Sequence, residues 1–179
     1  ERDLEMDRLE REVEGKAVRM LALRQPMAAD LRNVIAAIKL SGGIERIGDL
    51  AKNIARRSIA VANEDNRTAL RGIERLGQAV SRMLQVSLDA YARRDPVAAL
   101  GVLDQDDDID SHYNSLLRAM LRFMAEEPDQ IDARSNFIFI VKNLERIGDH
   151  CTNIAKVVHF IATGQRVGDA ERTPSPQPE

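Results

Sequence analysis

The chain has 179 residues, with 26 Lys and Arg against 29 Asp and Glu, a formal net charge of −3 and a pI near 5.7. That balance supplies no basic field and argues against DNA or RNA as a partner. Hydrophobic residues make up 44% but aromatics only 3%, with no Trp, so Leu, Ile, Val, Ala and Met must fill the core, which is a helical palette. No stretch approaches the roughly 18 uninterrupted apolar residues of a membrane span, no signal peptide opens the chain, and the lone Cys151 cannot form an internal disulfide. A cytoplasmic protein is expected, without direct membrane insertion, so that membrane association goes through a partner.

From Glu1 to Gln25 the apolar residues Leu9, Val13, Ala17, Met20 and Leu21 recur at helical spacing, and Asp3, Asp7, Glu10 and Glu14 form a second stripe. This segment starts without an N-cap signal, which predicts that the chain begins in mid-helix. Pro26 ends the first helix, and a second is predicted from Met27 to Ala62 with Leu31, Val34, Ile35, Ile38, Ile44, Ile47, Ala51, Ile54 and Ile59 on its buried side. Ser41-Gly42-Gly43 interrupts that pattern, and with Gly48 it predicts either a bend or a close backbone approach. Asn63 to Asn66 is a polar, turn-forming linker and the expected domain boundary.

A third helix is expected from Thr68 to Arg93, with Leu70, Ile73, Leu76, Val80, Met83, Leu84, Leu88 and Tyr91 along one stripe. Asp95-Pro96 should open the fourth, because Asp caps well and Pro suits the first helical position. It extends to about Glu127 and carries Asp104, Asp106, Asp107, Asp108 and Asp110. After Pro128 a fifth helix runs from about Gln130 to Ala162 and ends at Thr163-Gly164. Residues 165–179 lack apolar side chains apart from isolated ones, are rich in Pro towards their end, and should be disordered.

Glu45-Arg46-Ile47-Gly48-Asp49 returns as Glu145-Arg146-Ile147-Gly148-Asp149, an offset of 145 − 45 = 100 residues, and Asn53 and Asn153 follow at matching positions. Asp3 and Asp7 match Asp106 and Asp110, Pro26 matches Pro128, and Asp30 matches Asp132. The fold expected is all-α, two tandem antiparallel three-helix bundles over residues 1–63 and 64–164, the first lacking a helix that should precede Glu1.

Within each half, one helix carries Glu-x-x-x-Asp-x-x-x-Asn and the preceding antiparallel helix carries Asp-x-x-x-Asp. A spacing of four puts both acids of a pair on one face, about 5 to 6 Å apart at Cβ. Two such helices can aim four carboxylates at one point, which needs a multivalent cation to offset the repulsion. All-oxygen ligation favours hard ions such as Mg²⁺, Mn²⁺, Ca²⁺ or ferric iron, and the missing Glu-x-x-His pairing argues against a ferritin-like di-iron centre. The candidate metal ligands are Asp3, Asp7, Glu45, Asp49 and Asn53 in the first half and Asp106, Asp110, Glu145, Asp149 and Asn153 in the second. Solvated helix faces also carry such acid pairs, so a metal-free scaffold is the simpler alternative, and a carboxylate-bridged metalloenzyme is another. His112 and His159 suit packing or surface positions, and Cys151 suits a small buried residue rather than a nucleophile.

Arg24-Gln25-Pro26, then Ala29-Asp30-Leu31-Arg32, and the doubled Glu-Arg-Ile-Gly-Asp with Asn-Ile beyond it resemble the PhoU family, accessory and regulatory proteins of the bacterial high-affinity phosphate transport system. The resemblance covers Glu1 to about Gly164. It implies paired three-helix bundles whose Glu/Asp-x-x-x-Asp motifs bind metal, iron or else Mg, Mn or Zn, at Glu45, Asp49, Glu145 and Asp149, with Asp3, Asp7, Asp106 and Asp110 opposite. It also implies a negative regulator of the phosphate-starvation response that contacts the transporter ATPase subunit and a sensor histidine kinase, and a homodimer. No P-loop, triad or dinucleotide fingerprint is present, so a regulatory adaptor is expected rather than an enzyme.

Overall fold

A computed structural model of the protein describes residues 2–61, 67–126 and 131–168; the side chains of residues 2, 3, 67, 68, 132 and 133 are outside that description. It contains α1 (Arg2–Arg24), α2 (Ala29–Ala60), α3 (Arg67–Arg93), α4 (Pro96–Glu126) and α5 (Ile131–Thr163), with no strand among the described residues. The expected linker from Asn63 to Asn66, the boundary within it, Pro128 and most of the Pro-rich tail fall outside those residues.

Local chemistry accounts for the helix ends. The Asp95 carboxylate accepts from the backbone N–H groups of Val97 and Ala98, both at 3.0 Å, so it caps α4 with Pro96 in the first turn. Gly164 takes a left-handed φ of 78° while its N–H donates to the Phe160 carbonyl at 2.8 Å, closing α5. Between α1 and α2 the turn through Pro26 places Gln25 and Ala28 at positive φ, and α2 starts at Ala29, two residues later than the pattern predicts. No break follows from Ser41-Gly42-Gly43. The helix is continuous through it, and the Ser41 hydroxyl donates to the Ile38 carbonyl at 3.0 Å.

Helices α3, α4 and α5 pack pairwise into a bundle, α2 lies against α5, and α1 packs on α2 alone among the described helices. Leu76, Met83, Val102, Phe137, Val141, Cys151 and Val158 are almost wholly buried at the centre of that bundle. Aromatic side chains play a small part, as composition requires. Antiparallel packing of α2 on α5 is marked at one end by Arg57, whose guanidinium donates to Asn136 at 2.9 Å and lies 4.1 Å over the Phe139 ring. At the other end Arg32 approaches Gly164.

The expected buried side of α2 is only partly right. Val34 and Ile47 are buried, but Leu31, Ile35 and Ile44 are exposed, Ile59 is 78% exposed, and Ala36, Leu40 and Leu50 are buried instead. Helix α2 serves two neighbours on different sides, α1 and α5, and no described helix takes in the first half the place that α3 takes against α4 and α5. Leu9 and Met20 of α1 are exposed for the same reason.

Burial grades the cost of truncation. Leu76→Ala removes a side chain with 0% exposure and should cost about 2–5 kcal/mol in urea unfolding, whereas Val97→Ala, at a position 77% exposed, should stay within about 0.5 kcal/mol of wild type. Equal losses at the two positions would contradict the core described here.

Candidate metal centre

The second-half acids lie along the seam between α4 and α5. Asp106 and Asp110 stand one turn apart on α4, and Glu145 and Asp149 one turn apart on α5. Gly148 sits where the helices approach: a Cβ there would come within 3.4 Å of Ile109 Cγ2 and 3.7 Å of Asp106 Oδ1. Gly48 has the same place in the first half, where a Cβ would meet the Met6 side chain at 2.6 Å. The glycine inside the signature thus lies against the neighbouring helix in both halves, at a cost of about 1 kcal/mol in helix propensity relative to Ala.

Packing perturbs two of these acids. Burial raises the Glu145 carboxyl above its ordinary value, with Asp149 and then Asp110 adding to the rise and Lys142 and Arg146 opposing it. Burial likewise raises Asp106, reinforced by Asp110 and Asp149 and opposed by Lys156. Glu145 Oε2 is buried without a hydrogen-bond partner among the described residues. Asp110 and Asp149 are exposed and form the open edge of the seam. Asp104, Asp107 and Asp108 are exposed as well, so the rest of the acidic run is a solvated face, as expected.

In the first half, burial raises Glu45, with Asp49, Glu10 and Asp7 adding and Arg46 offsetting. Glu10 thus joins this face, one turn beyond the pair matched by the repeat, and its carboxylate also lies 3.5 Å from where a Cβ of Gly42 would stand. Asp3 lies outside the described side chains. Arg46 approaches Glu45 at 3.7 Å and Lys52 approaches Asp49 at 3.9 Å.

The described contacts of the asparagines are with other groups. Asn53 accepts from Arg56 at 2.8 Å, and Asn153 lines a cavity between α2 and α5, eight residues and about 12 Å along the helix from Glu145. Among the described residues, no group of three or more His, Cys, Asp or Glu is arranged so that it could hold a metal ion. His112 is exposed, and His159 Nδ1 lies 3.1 Å from the Gln165 carbonyl beyond the end of α5. Cys151 is buried, and burial pushes its thiol up to about 12 despite a hydrogen bond with Ser87, which suits packing and not nucleophilic chemistry.

A carboxyl whose pKa folding raises weakens the folded state wherever it is ionised. The deficit is present above the folded pKa and disappears below the ordinary value of 4.5. Glu145→Gln should therefore raise the melting temperature of chelator-treated protein at pH 7, and the gain should fade by pH 4. A lower melting temperature for the variant at pH 7 would contradict this account of Glu145.

The PhoU domain family matches residues 1–58 and 73–158. A phosphate-specific transport system accessory protein PhoU homolog of Caulobacter vibrioides is 47% identical over 166 residues, 92% of this chain and 72% of that protein. The crystal structure of PhoU from Pseudomonas aeruginosa superposes with a TM-score of 0.87 at 38% identity, covering 91% of this chain and 78% of the other. That of the phosphate transport system regulatory protein PhoU from Streptococcus pneumoniae gives 0.82 at 26% identity, covering 92% and 77%. With both halves matched and the helices in the same arrangement, the chain belongs to the PhoU family.

Proposed function

We propose that this protein is a cytoplasmic regulatory adaptor of the high-affinity phosphate transport system, which restrains the phosphate-starvation response by contacting the transporter ATPase subunit and a sensor histidine kinase. The observation that carries this reading is the family membership itself, over both halves of the chain, among relatives named as accessory and regulatory proteins of phosphate transport. No described helix is long and apolar enough to cross a membrane, which accords with reaching the membrane through a partner. Long helices with unpartnered apolar residues, such as Leu9, Met20 and Ile59, offer surface for helical partners and for a second copy in a homodimer.

Disrupting the gene should leave alkaline-phosphatase-type starvation genes expressed in high phosphate, and the intact gene should restore repression. Normal repression in the disrupted strain would count against the adaptor reading.

The cation proposal rests on the α4–α5 seam. The donors are oxygen only, burial and then neighbouring carboxylates raise Glu145 and Asp106, and Glu145 Oε2 is a buried acceptor without a donor among the described residues, so the residues fit a hard multivalent cation. Glu145 and Asp149 from α5 would hold it with Asp106 and Asp110 from α4. The exposed Asp110 and Asp149 must swing inward to complete the set, since the described arrangement is not itself a closed metal group. A cation bound there would neutralise the seam and cross-link the two helices.

Elemental analysis of protein purified without chelators should find iron, Mn, Mg or Zn, lost when Glu145 and Asp149 are both changed to Ala. Equal metal in the double variant would rule this seam out.

A further inference from the structure

A cavity of about 450 Å³ opens between the N-terminal half of α2 and the C-terminal half of α5. Arg32 and Lys39 reach it from α2, Lys156 from α5, and Arg166 from just beyond α5. His150 and Asn153 add two uncharged or weakly basic polar groups, and no carboxylate is among the described residues lining it. Ile35, Leu40, Ile154 and Val157 supply an apolar wall, with Phe160 beside them.

Arg32 carries the argument. Its Nε is buried and has no hydrogen-bond partner among the described residues, a costly state for a guanidinium nitrogen. The side chain is seated against the end of α5, where a Cβ on Gly164 would lie 3.7 Å from Arg32 Cζ. Two comparisons inside the molecule show what satisfied arginines look like. Arg57, at the opposite end of the same helix pair, donates to Asn136 and covers Phe139. Arg134, which matches Arg32 when Asp30 is laid on Asp132, donates to the Phe123 carbonyl. The N-terminal dipole of α2 and the C-terminal dipole of α5 lie side by side here and largely offset each other, leaving the side-chain cations to set the sign of the field.

We propose that this cavity binds a phosphoryl anion, either inorganic phosphate or the phosphate group of a small phosphomonoester. The planar guanidinium of Arg32 matches a phosphoryl group through paired N–H donors, and Lys39 and Lys156 add charge from either wall. The volume falls within the range of about 300–1,000 Å³ usual for small-molecule sites, and the apolar wall gives the organic part of a phosphomonoester a surface to lie on. This site opens between α2 and α5 rather than between α4 and α5, although Lys156 also acts on Asp106 of the acid seam, and it does not depend on the adaptor reading.

Isothermal titration calorimetry of the full chain with inorganic phosphate, adenosine monophosphate and adenosine tests it. At least one phosphate-bearing probe should bind saturably with a Kd below about 1 mM, and adenosine should not bind over the same range. Arg32→Gln and Lys39→Gln should each weaken binding tenfold or more. If Arg32→Gln lowers the melting temperature, Lys39→Gln, at an exposed position, carries the comparison. Tighter binding of adenosine monophosphate identifies a phosphomonoester site, and equal or tighter binding of phosphate identifies a site for the free anion. Absence of binding by both phosphate-bearing probes, or variants that bind as tightly as wild type, would overturn the proposal.

Discussion

The architecture depends on α5 being wrapped by three neighbours. Helices α2, α3 and α4 all pack on it, so its residues Phe137, Val141, Leu144, Ile147, Cys151, Ile154 and Val158 are buried towards more than one side. A helix that is apolar over most of its circumference has only a narrow strip left for charge. In α5 that strip runs past Lys142, Glu145, Arg146 and Asp149, at the edges of the packed faces. Carboxylates placed there are neither fully solvated nor buried, which is why burial leads among the causes that raise Glu145.

Close packing and charge crowding share one origin at this seam. At Gly148 the helices lie close enough that a Cβ would touch Ile109 and Asp106, and the approach that brings Ile109 in also brings Asp106 against the α5 acids. Gly48 does the same for Met6 in the first half, where Glu45 is raised alongside Asp49, Glu10 and Asp7. Propensity and repulsion both oppose this arrangement, and apolar contact across the helices offsets them. The cost is electrostatic, so any cation held by the acids would add stability that varies with its concentration, without a change of fold.

Much of the fold was legible because helix ends carry short-range signals. Asp95-Pro96 and Gly164 act within a few residues, and the structure places the α4 start and the α5 end there. The repeated signature likewise located the acids, since a four-residue spacing fixes a shared face whatever packs against it. Partner choice was not legible. Periodicity marks the apolar face of α2 but does not say that the helix divides its contacts between α1 and α5, so Ile35 and Ile44 lie exposed while Ala36 and Leu40 are buried. Asn153 shares a helical face with Glu145, yet α2 crosses at its level, and it faces the cavity instead of the acids. Glu10 was visible in the acidic stripe of α1, but only the contact with α2 shows that it belongs with Asp7 and Glu45.

The two halves also differ in a way that spacing explains. From Asp30 to Glu45 there are 45 − 30 = 15 residues, and from Asp132 to Glu145 there are 145 − 132 = 13. With the signatures held in register on their helices, two extra residues turn the start of α2 by about 200° relative to the start of α5. Matched arginines then face different neighbours. Arg134 turns to α4 and finds the Phe123 carbonyl, while Arg32 turns to α5, where it lines the cavity and its buried Nε has no partner among the described residues. A repeat that preserves the acid faces in both halves can thus give rise to a cationic cavity at one end of the α2–α5 pair and an arginine bonded to Asn136 at the other.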